Sequence, residues 1–97
     1  MTGLNVYYYV KEGMMQSFVD ELDKNCIAEQ CIKETGCLQY DYFISKESPD
    51  SVLLLIERWQ NAEAQKIHTT QPHFKLLQEL KAKYVEKTEF FNYSECK

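Results

Sequence analysis

The feature of this sequence that most constrains its fold is the order in which its hydrophobic periodicity changes. Segments in which apolar and polar side chains alternate, or which are rich in β-branched, aromatic and other apolar residues, predict strands, and segments with apolar side chains at three- and four-residue steps predict helices. The predicted strands cover residues 4–10, 38–45, 52–59 and 85–93. The predicted helices run from residue 14 to about 33, from 62 to 68, and from 72 through 84. When residues 62–84 are taken as one helical region, the order of the elements is strand, helix, strand, strand, helix, strand.

Local signals mark several ends of these segments. Gly36 ends the first helical pattern, because a left-handed residue commonly closes a helix. Asn25 is expected to loosen that helix near its middle, since asparagine competes poorly for helix interiors. Asn61 is a predicted N-cap, and Pro72 suits the first turn of the last helix. The short polar link between the second and third strands predicts an antiparallel hairpin.

This element order is that of the ferredoxin-like split β-α-β fold. We predict an α+β protein, βαββαβ, in which a four-stranded antiparallel sheet carries its helices on one face. A chain of 97 residues is expected to form one domain, residues 1–97.

The composition of the strands predicts a partner for this sheet. The third strand is apolar on both faces over residues 52–56, and the first and last strands place aromatic side chains on both faces. A sheet that is apolar on both sides needs a second cover. We therefore expect a two-fold homodimer whose sheets pack into a barrel-like core, a dimeric α+β barrel.

Charge and cysteine content restrict the partners. The net charge of −4 and the scattered basic residues argue against nucleic acid and anionic membranes. The sequence shows no targeting segment, and the longest apolar run is too short to span a bilayer, so we predict a cytoplasmic protein. Cys26, Cys31 and Cys37 have no recognised zinc spacing. We interpret the four cysteines as ordinary thiols, with a metal site or a redox pair as the alternatives.

Three segments together resemble the antibiotic-biosynthesis monooxygenase domain family. They are TGCLQYD at residues 35–41, ERW at residues 57–59, and the stretch 64–74 with its two histidines and Pro72. The third segment looks most like quinol-oxidising and autoinducer-2-processing members. The resemblance implies a dimeric α+β barrel, a pocket between sheet and helices, and oxidation of small quinol-like aromatics without metal or flavin. In the haem-degrading branch, the iron ligand would fall near Gln78, whose amide cannot ligate haem iron.

Within this frame, two histidines are the candidate catalytic residues. His68 and His73 lie across a short turn, so both can point into one cleft, and a neutral imidazole can take a proton from a phenol or enol. Hydrogen bonds to backbone carbonyls at helix ends are the plain structural alternative. Trp59 would stack on a flat substrate or close the core.

Three further residues complete the predicted site. Asn5 would hold substrate oxygens together with Trp59, and Glu57 is either a structural ion-pair partner or a pocket acid or base. Tyr40 could line the pocket, although such aromatic side chains are more often core residues.

The sequence also contains no Gly-rich phosphate loop, no metal-ligand pattern and no Ser–His–Asp signal. We therefore predict a monooxygenase that uses neither cofactor nor metal and acts on a small quinol-like substrate. The alternatives are an isomerase of a small hydroxyketone and a non-catalytic dimeric small-molecule binder.

Overall fold

A computed structural model describes residues 1–96, and Lys97, the last residue of the predicted domain, lies outside the described residues. Four strands form one sheet: β1 (Thr2–Val10), β2 (Cys37–Ile44), β3 (Val52–Trp59) and β4 (Val85–Ser94). The helices are α1 (Met15–Lys24), α2 (Ile27–Ile32), α3 (Ala62–His68) and α4 (Pro72–Tyr84).

The sheet is antiparallel with strand order β2-β3-β1-β4, so the two central strands are β3 and β1. This arrangement confirms the predicted ferredoxin-like α+β fold. The core lies between the sheet and the helices. It contains alternate residues of β1, such as Val6 and Tyr8, packed with helix residues such as Phe18 and Leu77.

The first helical segment differs from the prediction. It is two helices, because the chain turns at Asn25 and Cys26, and Cys26 has a left-handed φ of 52°. The Asn25 side-chain amide donates to the Glu21 carbonyl oxygen at 2.7 Å. The same carbonyl oxygen also accepts the Asn25 backbone N–H at 3.1 Å, so both donors of Asn25 close the end of α1. The break redirects α2, and the chain that follows α2 brings Glu34 toward α3.

Two predicted helix signals are present as expected. The Asn61 side chain accepts a hydrogen bond from the Ala64 backbone N–H at 2.9 Å. It therefore caps α3. Pro72 occupies the first turn of α4. These two signals begin the helices α3 and α4, which place His68 and His73 on either side of the short connection at residues 69–71. Among the described residues, no helix combines the length and apolar character needed to cross a membrane.

Candidate functional site

The candidate site is built where β3 ends and α3 and α4 begin. Trp59, the last residue of β3, is fully buried, and His68, the last residue of α3, is 2% exposed. The two rings lie against each other, with centroids 4.6 Å apart and planes inclined by 35°. The Phe74 ring packs nearly perpendicular to His68 at a centroid distance of 5.1 Å. The His68 imidazole is therefore held in one orientation by aromatic packing.

A carboxylate that the sequence did not point to joins the two histidines. Glu34 Oε2 lies 2.6 Å from His68 Nδ1 and 2.7 Å from His73 Nε2. One carboxylate oxygen can accept two hydrogen bonds, and such charge-assisted bonds are among the stronger ones in proteins. Both imidazoles thus converge on one acceptor, although the catalytic role given to them stays a prediction.

The contact with Glu34 also determines the tautomer of His68. An acceptor at Nδ1 places a proton there, so the neutral ring keeps its lone pair on Nε2. Within residues 1–96, His68 Nε2 makes no hydrogen bond, and His68 lines a cavity of about 230 Å³ between the sheet and α4. A carboxylate that orients a histidine base in this way is a recurring arrangement in enzymes.

The cavity combines apolar walls with a few polar groups. Its walls include Leu4 and Val6 of β1 and Leu77 of α4. The polar groups that reach it besides His68 include Glu57 from β3 and Lys81 from α4. A mostly apolar enclosure with convergent polar groups is typical of small-molecule sites.

Glu57 is a buried carboxyl group, 6% exposed, whose Oε1 accepts a hydrogen bond from the Trp59 indole N–H at 2.9 Å. Burial is the main cause that raises its pKa above the ordinary value, and the Trp59 hydrogen bond opposes this effect. Burial also lowers the pKa of Lys81. The Lys81 ammonium lies 5.3 Å from the Tyr8 ring centroid. The cavity therefore holds a carboxyl group whose pKa is raised by burial and a partly desolvated cation whose pKa is lowered by burial.

We expect Glu57→Gln to stabilise the protein at pH 7. The raised pKa means that Glu57 contributes most to stability below about pH 4.5, its ordinary value, and loses that contribution as pH rises through the folded-state pKa. Glutamine keeps an acceptor for Trp59 and removes the buried charge, which His68 and Lys81 stabilise only in part and Glu34 opposes. Urea unfolding from pH 4 to 8 measures the effect.

The matched control for this variant is Glu63→Gln on the exposed side of α3, which should leave stability nearly unchanged. A Glu57→Gln protein that is less stable than the wild type at pH 7 would show that the ionised carboxylate is fully compensated.

His73 does not line the cavity that His68 lines between the sheet and α4. It borders an open groove of about 700 Å³ on the outer side of α3, together with Glu34, Thr35 and Gln71. The side chain of His73 is 10% exposed and that of Glu34 is 11% exposed. The predicted pair is therefore divided between two surfaces and connected by Glu34.

Asn5 is not brought to the other predicted site residues. Glu57 pairs with Leu4 across β1 and β3, whereas Asn5 pairs with Ile56, so Asn5 projects from the opposite face of the sheet. Asn5 and Trp59 therefore project from opposite faces of the sheet, and Trp59 is fully buried and does not line the cavity. Tyr40 is on the same face as Glu57, its cross-strand partner, but it is a core residue, 3% exposed, beside rather than in the cavity wall.

Glu34, the two histidines and one cysteine could together hold a metal ion. Donor atoms of Cys31, Glu34, His68 and His73 all lie within 4.8 Å of one another. Sequence reasoning considered only the spacing between cysteines. The signal that could have found this group is the pair of spacings Cys31-x-x-Glu34 and His68-x4-His73, because each brings two donors onto one turn of chain.

Known proteins of similar structure share the fold described above. The family model for antibiotic biosynthesis monooxygenase matches residues 1–80. None of the curated proteins compared with the chain matches it. A candidate antibiotic biosynthesis monooxygenase from Nitrosomonas europaea has a similar structure, with 20% identity, 100% of both chains covered and a TM-score of 0.88.

Two further solved structures are more similar in sequence. A conserved protein from Methanosarcina mazei is 27% identical over 97% of this chain and 91% of its own, with a TM-score of 0.86. A conserved protein of unknown function from Bacteroides thetaiotaomicron is 30% identical over 95% of this chain and 96% of its own, with a TM-score of 0.80. The family model and these structures together show that the chain belongs to the antibiotic biosynthesis monooxygenase family.

Proposed function

We propose that the protein is a cofactor-independent monooxygenase that oxidises a small, electron-rich hydroxyaromatic such as a quinol in the cavity between the sheet and α4. The observation that carries this proposal is the orientation of His68. Glu34 holds the Nδ1 side, and the Nε2 side is left without a partner among the described residues at the wall of the cavity. Membership of the family supports the reaction class.

The chemistry begins with removal of a phenolic proton by His68 Nε2. The Lys81 ammonium stabilises the oxyanion that forms, since a fixed charge in a dry site is worth more than in water. A phenolate gives up an electron more readily than the phenol, so it can transfer one electron to O2. The resulting superoxide and aryloxyl radical combine at a ring carbon to form a carbon–oxygen bond.

The second half of the reaction returns the proton. The imidazolium of His68 protonates the peroxide, and the hydroperoxide then loses water to leave a new ring carbonyl. The sum is one hydroxyaromatic and one O2 converted into one quinone and one water. Glu34 acts as a positioning residue because its carboxylate bonds to the two histidines and does not line the cavity, and the apolar walls limit side reactions with water.

The size of the cavity restricts the substrate. The cavity has a volume of about 230 Å³. Pockets for drug-sized ligands are larger, from roughly 300 Å³ upward. Compact molecules of one or two rings therefore suit this cavity better than extended polycyclic compounds. A reduced naphthoquinone is a suitable probe for oxygen uptake in an electrode cell.

Replacing Lys81 by methionine tests the oxyanion contact. We expect kcat/KM for oxygen uptake to fall roughly tenfold to a hundredfold, the range for loss of one interaction with a charged group. Methionine keeps the apolar stem, so folding should be little changed. Lys83→Met is the matched control, because Lys83 is exposed on the same helix and does not line the cavity. Equal losses in both variants would remove Lys81 from the proposed mechanism.

The isomerase alternative is favoured by one observation. Glu57, whose pKa is raised by burial, shares the cavity with His68, and an acid and a base in one pocket suit proton transfer between neighbouring carbons of a hydroxyketone. Such a reaction would proceed under nitrogen, whereas the monooxygenase would not. A protein that binds these ligands and turns over neither would be a binding protein.

A second copy of the chain is part of the proposal. The outer face of the sheet carries Leu54, Ile56 and Phe91, and Phe91 is 60% exposed. The buried Oδ1 of Asn5 on this face has no hydrogen-bond partner among the described residues. We expect the wild type to sediment as a dimer and Phe91→Lys as a monomer. A monomeric wild type at micromolar concentration would refute this arrangement.

A cytoplasmic location also remains part of the proposal. All four cysteines are free, as expected in a reducing compartment.

A further inference from the structure

We propose that Cys31, Glu34, His68 and His73 form a binding site for a divalent transition-metal ion of the zinc type. The inference goes beyond the oxygenase proposal and does not depend on it. It rests on the convergence of four donor side chains from α2, the chain that follows α2, the end of α3 and the start of α4.

The kinds of donor select the class of metal. One thiol sulfur, two imidazole nitrogens and one carboxylate oxygen are the ligands that zinc takes in proteins. Calcium and magnesium prefer sites made of oxygen atoms, so this mixed set argues against both. The spacings Cys31-x-x-Glu34 and His68-x4-His73 are also similar to the paired ligand spacings of zinc sites.

The distances are compatible with a tetrahedral site after small movements. Bonds of about 2.0–2.3 Å to zinc put neighbouring ligand atoms roughly 3.3–3.8 Å apart in a tetrahedron. Here the Glu34–His contacts of 2.6 and 2.7 Å are shorter than that range, and the largest separation in the cluster, within 4.8 Å, is longer. Metal binding would lengthen the two Glu34–His contacts and shorten the longest separations between donor atoms, which requires side-chain shifts of about 1 Å.

Two of the four donor side chains are buried, and the other two are partly exposed to solvent. Cys31 is fully buried and His68 nearly so, whereas the side chains of Glu34 and His73 are about one-tenth exposed to the outer groove. An ion could therefore reach the cluster through the groove without passing through the cavity between the sheet and α4. A site with buried donors on one side and an open path on the other meets a basic requirement for metal uptake.

The hydrogen bonds to Glu34 explain why Glu34 and the two histidines lie together, but they do not explain why Cys31 lies beside them. Glu34 has an evident role as acceptor for the two imidazoles, but this role does not involve Cys31. A metal ion would use all four donors. It would replace the proton on His68 Nδ1, and the neutral ring would then carry its proton on Nε2. Metal binding should therefore abolish the ability of His68 to act as a base in the cavity.

The test uses the purified full chain after removal of metal with a chelator. Co²⁺ is added stepwise and the absorption spectrum is recorded, because a thiolate–cobalt bond gives a charge-transfer band in the near ultraviolet. We expect saturation at one equivalent, a visible spectrum typical of tetrahedral cobalt, and loss of the bands when Zn²⁺ is added. Absence of a one-equivalent transition would overturn the proposal.

Variants identify the ligands. Cys31→Ser should lose the charge-transfer band, while Cys37→Ser, which alters a cysteine outside the cluster, should retain it. His73→Gln alters a partly exposed ligand and should weaken binding by at least the ~10–100-fold that loss of a supporting partner of a ligand costs. Circular dichroism checks that each variant is folded. A folded His73→Gln protein with unchanged affinity, or a band that moves with Cys37, would contradict the site.

This experiment is separable from the proposed activity. The cobalt spectrum can be obtained whether or not the protein oxidises a quinol, and oxygen uptake by metal-free protein tests the oxygenase proposal alone. If both hold, adding one equivalent of Zn²⁺ should suppress oxygen uptake.

Discussion

His68→Ala should reduce the rate of oxygen uptake with a reduced naphthoquinone by roughly 10²–10⁴-fold, the usual contribution of a positioned general base. The loss should fall on kcat, since His68 contributes only one edge of a largely apolar cavity and KM depends mainly on the other walls. Oxygen-electrode kinetics over a range of substrate concentrations measure both parameters.

His73→Ala is the matched control for this prediction. It removes the other imidazole bound to Glu34 but leaves the lining of the cavity intact. We expect kcat to change by less than about tenfold, because a residue that acts only through a neighbour usually contributes less than the base itself. Equal losses in the two variants would contradict the assignment of His68 alone as the base.

Trp59→Ala should have the largest effect on stability. The side chain is fully buried, stacks on His68 and donates to Glu57. Truncation of a buried tryptophan to alanine typically costs about 3–5 kcal/mol. A protein of this size has about 5–15 kcal/mol in total, so a large share of the stability of the folded state would be lost. Urea unfolding at fixed protein concentration gives the free energy of unfolding.

Trp59→Phe separates packing from hydrogen bonding. Phenylalanine keeps most of the apolar volume and removes the indole N–H, which leaves Glu57 Oε1 without its donor. The expected cost is about 1–3 kcal/mol, the penalty for an unsatisfied buried group.

The result that would contradict the Trp59→Ala prediction is a loss below about 1 kcal/mol, which would mean that the surrounding core collapses around the smaller side chain.

The sequence predicted the architecture because hydrophobic periodicity is a local property. Alternation in residues 38–45 and helical spacing around Phe18 and Leu77 could be interpreted without knowledge of distant contacts. Asn61 and Pro72 likewise act on their own turn of chain, and both occupy the positions expected of them.

The site was less predictable because its contacts are long-range. Glu34 is 34 residues from His68 and 39 from His73, so no local pattern could indicate that they meet. The break at Cys26 depends on one residue with a positive φ, a feature that helical periodicity does not register. It matters for the site because it turns the chain that leads to Glu34.

Asn5 illustrates a different limit. Alternation along β1 correctly separates the face of Asn5 from the face of Val6. Which of these faces also carries Glu57 and Trp59 depends on the register between β1 and β3, where Leu4 is opposite Glu57. A shift of one residue in register would reverse the answer, so the sequence pattern alone could not decide it.

The most direct test of the central claim is the ionisation state of a bound phenol in the absence of oxygen. A naphthol whose phenolate absorbs at longer wavelength than its neutral form is titrated with metal-free wild-type protein under nitrogen at pH 7, and then with His68→Ala. If His68 takes the proton in the cavity, the wild type should show the phenolate spectrum on binding and the variant the neutral spectrum with similar affinity. A neutral spectrum with both proteins, or a phenolate spectrum with both, would contradict the assignment of His68 as the base.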